Sequence, residues 1–148
     1  SIWPTIYSCS SGLVFPIFNP QLNLTGYQIR TNSGNPKYVT YGTPWPDPGD
    51  TKEVVICEDY ISSIKIKDAS FDSYPLLGSN LSKNKIAYLL EKGKKTFTIW
   101  LDNDTSIINE QRRKLRDKLS LYGEVKLITN KKDPKYYTIS EIKEFLYD

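Results

Sequence analysis

The sequence contains no histidine and no methionine, and only two of its 148 residues are cysteine. Without imidazole the chain has neither the commonest general acid–base group nor any histidine-containing metal site. Cys9 and Cys57 are too few for a structural zinc site or a disulfide framework. Cys57 falls inside an apolar run, where a reduced, buried thiol is expected. No apolar run approaches the length of a membrane span, and the first residues carry no signal-peptide pattern. A cytoplasmic protein with no membrane partner is therefore expected, and the sequons at Asn23, Asn80 and Asn103 read as coincidental. A chain that opens on Ser1 and lacks methionine reads as processed or excised, and the excised fragment is the expectation.

What is present describes a folded domain. Hydrophobic residues make up 39% and charged residues 25%, the balance of a globular chain rather than a disordered one. Eleven tyrosines and three tryptophans supply large side chains for a core. The net charge of +3 permits nucleic-acid binding without arguing for it. Basic residues are concentrated late in the chain: Arg112, Arg113, Lys114, Arg116 and Lys118, followed by Lys126, Lys131, Lys132 and Lys135. On a helix such a run serves either as a solvated face or as a track for phosphates.

Residues 1–50 read as a small β-rich lobe. Leu13-Val-Phe-Pro-Ile-Phe18 is a short apolar strand whose Pro16 marks an edge or a bulge. The turn Asn19-Pro-Gln-Leu-Asn23 leads to the alternating Leu24–Arg30, and Asn32-Ser-Gly-Asn-Pro36 leads to Lys37–Tyr41. This meander sets Arg30 and Lys37 at opposite ends of a tight loop, free either to face solvent or to meet phosphate. Residues 42–52, with three prolines and two glycines, form the boundary.

From residue 51 to 148 strands and helices alternate. Glu53–Cys57 is a buried strand, followed by a helix over 59–67 with Ile61, Ile64 and Ala69 inward. Tyr74–Gly78 is a second strand, and a helix capped by Asn80 or Ser82 runs to Leu90 and stops at Gly93. Thr96-Phe-Thr-Ile-Trp-Leu101 is the third strand, its near-continuous apolar run suited to a parallel strand covered on both faces. A basic helix over 106–122 follows, with Ile108, Leu115, Leu119 and Tyr122 as its stripe and Gly123 as its C-cap. Glu124–Ile128 is the fourth strand, and a last helix presents Ile142, Phe145 and Leu146. Strand–helix alternation with short connections implies an α/β fold: a parallel sheet wrapped by helices.

Such sheets bind ligands beyond the carboxyl ends of their strands. Glu58 ends the first strand, Asp102 and Asp104 end the third, and Asp133 follows the fourth. Asp102 and Asp104, one residue apart, fall on one side of their strand. Taken alone, the pair is either an Asp-rich turn with Asp104 capping the next helix or a ligand pair for a hard divalent cation. Four carboxylates from three segments at one edge favour the cation. Metal at such an edge suits phosphoryl chemistry, which works by positioning and charge neutralisation and needs neither His nor Cys.

Glu58 after its apolar strand, Leu77-Gly-Ser-Asn-Leu-Ser82, Leu101-Asp-Asn-Asp104 and Lys132-Asp-Pro134 resemble, in order, the motifs of a Toprim domain. That domain is shared by DnaG-type primases, topoisomerases and some nucleases and recombination proteins. Val14-Phe-Pro-Ile17, Gly26-Tyr-Gln-Ile-Arg30 and Asn35-Pro-Lys-Tyr38 are similar to the lobe that precedes Toprim in primases, and Glu58–Lys65 looks most like the phage branch. The resemblance covers nearly the whole chain. It implies that Glu58 helps activate or orient the attacking hydroxyl. It implies further that Asp102 and Asp104 bind metal together with Glu58, with Asp133 as an additional acid, and that Arg30 and Lys37 hold nucleotide phosphates or the template–primer. Ser79 and Asn80 lie in the intervening loop and are assigned to nucleotide or nucleic acid, as are Arg112, Arg113 and Arg116 of the basic helix. The implied cofactor is Mg²⁺, with Mn²⁺ as the substitute and no zinc in this chain.

Two positions depart from that pattern. Asp59 stands where a glycine usually follows the acidic residue, adding a charge beside the site. Ser106-Ile107 replaces an Ala-Gly pair that lets strand and helix approach closely. The implied activity is synthesis of short RNA primers on a single-stranded DNA template from ribonucleoside triphosphates. A replicative helicase or a zinc-binding module is implied outside this chain, and a bacterial host cytoplasm if the source is a phage. The alternatives are a Toprim-type nuclease and a nucleic-acid-binding module that has lost catalysis.

Overall fold

The computed structural model describes residues 5–78, 80–102 and 105–147. The chain divides into two compact units, Ser1–Asp47 and Pro48–Asp148.

The first unit is an antiparallel sheet in the order β1 (Tyr7–Cys9), β2 (Gly12–Phe18), β3 (Leu24–Thr31) and β4 (Tyr38–Gly42). Phe15 and Ile17 of β2 are buried, while Leu13 and Phe18 toward its two ends are exposed. β1, a strand that sequence patterning did not reveal, pairs only with Gly12–Val14. Pro16 lies beyond the residues that β1 pairs with, and the register shifts between Ile17 and Phe18, an irregularity next to the proline. Tyr27 and Tyr41 are register partners whose rings stack with centroids 5.0 Å apart.

In the second unit the strands β5 (Glu53–Cys57), β6 (Ser73–Pro75), β7 (Thr96–Trp100) and β8 (Glu124–Ile128) are all parallel, in the order β6-β5-β7-β8. The central strands β5 and β7 are predominantly apolar because both of their faces are covered, whereas the edge strand β8 alternates with Glu124 and Lys126. On one face Val54, Ile56, Phe97 and Ile99 pack with Ile86 and Leu89 of α2 (Lys83–Glu91) and Leu115 and Leu119 of α3 (Ser106–Leu119). On the other, Val55, Cys57 and Trp100 meet Ile66 of α1 (Tyr60–Asp68) and Ile142 of α4 (Ile139–Tyr147), with Phe145 and Leu146 alongside. Cys57 is fully buried and its thiol is pushed well up, first by burial.

All four described α-helices start on side-chain caps: Asp59 accepts from the Ser62 amide, Ser82 from Lys85, Thr105 from Ile108 and Thr138 from Glu141. The amino-terminal end of the sheet is pinned by Lys94, wholly buried, whose Nζ donates to Asp72 Oδ2 at 2.8 Å and to the Thr51 carbonyl at 2.7 Å. Gly49 passes over this cluster with φ +80°, and a β-carbon there would lie 1.9 Å from Asp72 Oδ1.

Several boundaries differ from expectation. The second strand is Ser73–Pro75 rather than Tyr74–Gly78, because the chain turns away after Pro75 through Leu77 and Gly78, both at positive φ. Helix α3 stops at Leu119, where the Ser120 hydroxyl donates back to the Arg116 carbonyl. Tyr122 is thus half-exposed rather than in the stripe, and Gly123 is not the cap. The requirement at Gly123 is proximity: a β-carbon there would lie 2.2 Å from the Lys95 carbonyl oxygen as β8 enters beside β7. In α1 the deeply buried isoleucines are Ile64 and Ile66, with Ile61 only partly covered. A single 3-10 turn, Pro134–Tyr136, interrupts what patterning left as loop.

Candidate functional site

Parallel pairing of β5, β7 and β8 puts their carboxyl ends at one edge of the sheet, where Glu58, Asp102 and the loop bearing Asp133 follow directly. Glu58 is held by its backbone, its carbonyl accepting from the Leu77 amide at 2.8 Å while Cys57 accepts from Leu76 at 2.8 Å. The turn after β6 thereby fixes the first acidic residue. Asp133 is held from the other side. Trp100, wholly buried at the end of β7, donates through Nε1 to the Lys132 carbonyl at 2.8 Å, and the Tyr137 hydroxyl accepts from the Lys132 amide at 3.0 Å.

The carboxylates feel one another. Burial pushes Glu58 up to about 7, and the charges of Asp133, Asp102 and Asp59 act in the same direction, with Lys135 opposing. Burial likewise pushes Asp133 up to about 6, with Asp59 and Asp102 adding to the rise and Lys135 opposing it. Raised carboxyl groups at one edge mark a place where negative charge is under-compensated and a cation is favoured. Asp133 Oδ1 is buried with no hydrogen-bond partner among the described residues, an acceptor suited to such a cation. Among the described residues no three acidic or thiol side chains close around an ion position. Mg²⁺ does not require a closed cage, since it typically binds through one or two carboxylates plus substrate phosphates.

Asp59 brings the extra charge that its substitution for glycine implied, yet that charge is balanced. It caps α1 through Oδ1 at 2.8 Å from the Ser62 amide, and its Oδ2 lies 2.6 Å from Lys135 Nζ. Lys135 also reaches Asp133 Oδ2 at 3.4 Å. Asp104 and Ser79 lie outside the described residues. The N-cap of α3 is Thr105.

The basic helix divides. Arg113 pairs with Glu110 and Asp117, and Arg116 with Asp117, all on the exposed face. Arg112, expected among the nucleic-acid contacts, is instead turned inward at 6% exposure. Its Nη2 donates to the Asp102 carbonyl at 3.2 Å and its Nη1 to Asn109 Oδ1 at 2.7 Å. The physical reason is helical phase: Arg112 precedes buried Leu115 by three residues and shares its face. Asn80 is exposed and borders a groove of about 850 Å³ between the Leu76–Leu81 segment and α3, which none of Glu58, Asp102 or Asp133 lines. In the first unit Arg30 Nη1 donates to the Tyr38 hydroxyl at 2.9 Å, and Lys37 is exposed.

Trp100, Lys135 and the backbone of Leu77 position the acidic edge, and sequence reasoning passed over all three. Trp100 reads as core and Lys135 as one more surface lysine, and nothing local ties Lys135 to Asp59 far upstream. The Asp59 cap was legible, since aspartate followed by a helical stretch is an N-cap signal.

This architecture recurs in solved structures. A DNA primase domain from Pseudomonas aeruginosa matches over 92% of this chain and 52% of its own, with a TM-score of 0.71 at 16% identity. The fold is shared with DnaG-type primases. The zinc-binding and RNA polymerase domains of the Aquifex aeolicus primase match with a TM-score of 0.67 at 20% identity, covering 93% of this chain and 40% of that one. A DnaG primase catalytic domain bound to single-stranded DNA matches with a TM-score of 0.67 at 12% identity, covering 96% and 55%. The chain thus spans about half the length of the primase structures it matches. No protein-family model and no curated protein matches the chain. Among the described residues, no helix is long and apolar enough to cross a membrane.

Proposed function

We propose that this chain is part of the catalytic core of a primase, a nucleotidyltransferase that makes short RNA primers on single-stranded DNA from ribonucleoside triphosphates. The observation that carries the reading is the meeting of Glu58, Asp102 and Asp133 at the carboxyl edge of a sheet whose fold is that of primase catalytic domains. Glu58, raised to about 7, is suited to take a proton from the attacking hydroxyl near neutral pH. Glu58, Asp102, Asp104 and Asp133 are the residues that would hold Mg²⁺ or Mn²⁺. A divalent ion bound there supplies charge neutralisation on the triphosphate and on the primer hydroxyl. Arg30 and Lys37 are proposed phosphate contacts, and Arg113 and Arg116 proposed template contacts, in a phage-type protein acting in a bacterial cytoplasm. A partner helicase or zinc-binding module belongs to the same proposal, in keeping with the half-length match.

The test is primer synthesis on single-stranded DNA with four ribonucleotides and Mg²⁺ or Mn²⁺, with Asp104→Asn as control. Labelled oligoribonucleotides that vanish in the variant are the expected result. Degraded template without new product would instead establish a Toprim nuclease, and DNA binding with neither product would establish a binding module.

A further inference from the structure

Lys135 is the one lysine that touches the acidic edge among the described ion pairs. Its side chain is 10% exposed, and the two carboxylates it meets, on Asp59 and Asp133, are 6% and 7% exposed. Its own amide donates to the Ser62 hydroxyl at 3.4 Å, so backbone and side chain both hold it against the start of α1. A single ammonium thus bridges two buried carboxylates from segments far apart in sequence. Two such carboxylates repel unless a cation lies between them, and in acidic sites of this kind that cation is commonly divalent. Asp133 is left with Oδ1 as its unpartnered oxygen, its other oxygen being taken by the lysine.

We propose that Lys135 is a built-in cation of the acidic edge, doing for Asp59 and Asp133 what a second divalent ion would otherwise do. This rests on the reading that the edge takes divalent cations. The lysine keeps Asp133 poised and lowers by one the number of ions the nucleotide-free protein binds. Asp59 and Lys135 are then a matched pair: the added carboxylate is accompanied by the charge that offsets it. Tight metal binding in the free protein is left to Glu58, Asp102 and Asp104, while Asp133 contributes one oxygen.

The experiment counts bound Mn²⁺ in the nucleotide-free chain by electron paramagnetic resonance and titration calorimetry. Lys135→Met is expected to bind one more Mn²⁺ than the wild type, and Lys135→Arg the same number. Asp59→Ser in the Lys135→Met background keeps a helix cap and removes the gain. A folded Lys135→Met chain that binds no additional ion overturns the proposal. Should that variant be unfolded in EDTA, recovery of its circular dichroism with Mn²⁺ supports the proposal and failure to recover overturns it. The metal reading itself is tested separately, by loss of Mn²⁺ from Asp102→Asn. A wild type that binds no Mn²⁺ sinks that reading, and a Lys135→Met that also binds none overturns the proposal with it.

Discussion

Trp100 Nε1 donates to the Lys132 carbonyl across 2.8 Å, joining the strand that leads to Asp102 with the loop that carries Asp133. A buried aromatic two residues before one acid thereby sets the height of another. Around it Tyr137 and Phe145 pack at 6.0 and 5.9 Å between ring centroids, so the indole is locked by both hydrogen bond and packing.

Trp100→Phe keeps a ring in that packing and removes the donor. The Lys132 carbonyl then loses its buried partner, for a cost of about 2 kcal/mol in unfolding free energy. Freed from the indole, the Asp133 loop should also hold metal less well, with Mn²⁺ affinity falling several-fold. Urea unfolding and Mn²⁺ titration separate the two effects. Lost stability with unchanged affinity would show that the indole supports the fold without placing Asp133.

The raised acids give stability a definite pH dependence. Glu58 rises from an ordinary 4.5 to about 7, and Asp133 from 3.8 to about 6, so across this range the folded chain holds more protons than the unfolded one. Stability must then fall as pH rises, beginning near the ordinary values and levelling once the folded groups have ionised. The melting temperature in EDTA is expected to decline between pH 5 and 7. Glu58→Gln should remove the upper part of that decline, and Mn²⁺ should offset it in the wild type. A melting temperature that rises across the same window would refute the placement of these carboxylates together.

Most of the architecture was legible because burial on both faces leaves a plain mark. Val54–Cys57 is uninterrupted and Phe97–Leu101 is broken by Thr98 alone, and the segment that becomes α2 carries helical spacing. The carboxylates at the strand ends were legible for the same reason, since the end of an apolar run locates the edge of a sheet. The burial of Arg112 was not legible from charge read without phase: three residues from Leu115, it shares the buried face despite its guanidinium. Lys135 and Trp100 were invisible for a different reason. Their partners lie far away in sequence, and such pairings exist only once the sheet has brought the segments together.

Lys94 offers a test of the opposite end of the sheet. Its wholly buried ammonium meets Asp72 and the carbonyls of Thr51 and Glu53, with Gly49 folded over the same carboxylate. Lys94→Met leaves Asp72 without its cation but still partly exposed and bonded to Thr51, for a cost of about 1.5 kcal/mol. Because the cluster lies at the amino ends of the strands, Mn²⁺ affinity of the folded fraction should stay as in the wild type. Chemical denaturation measures the first and titration the second.

The basic helix separates two roles that composition merges. Arg113 and Arg116 are exposed and, among the described residues, paired with surface carboxylates that a phosphate can displace, whereas Arg112 spends its guanidinium on the carbonyl of Asp102. For single-stranded DNA, each phosphate contact contributes about 0.7 to the slope of log affinity against log salt. Arg113→Gln with Arg116→Gln is therefore expected to reduce that slope by about 1.4 if both meet the template. Arg112→Gln should leave the slope untouched while lowering stability, since it releases the Asp102 carbonyl and the α3 face together. An unchanged slope in the double variant would make the outer face of α3 a solvated surface. A reduced slope in Arg112→Gln would mean that the arginine swings out to meet the strand.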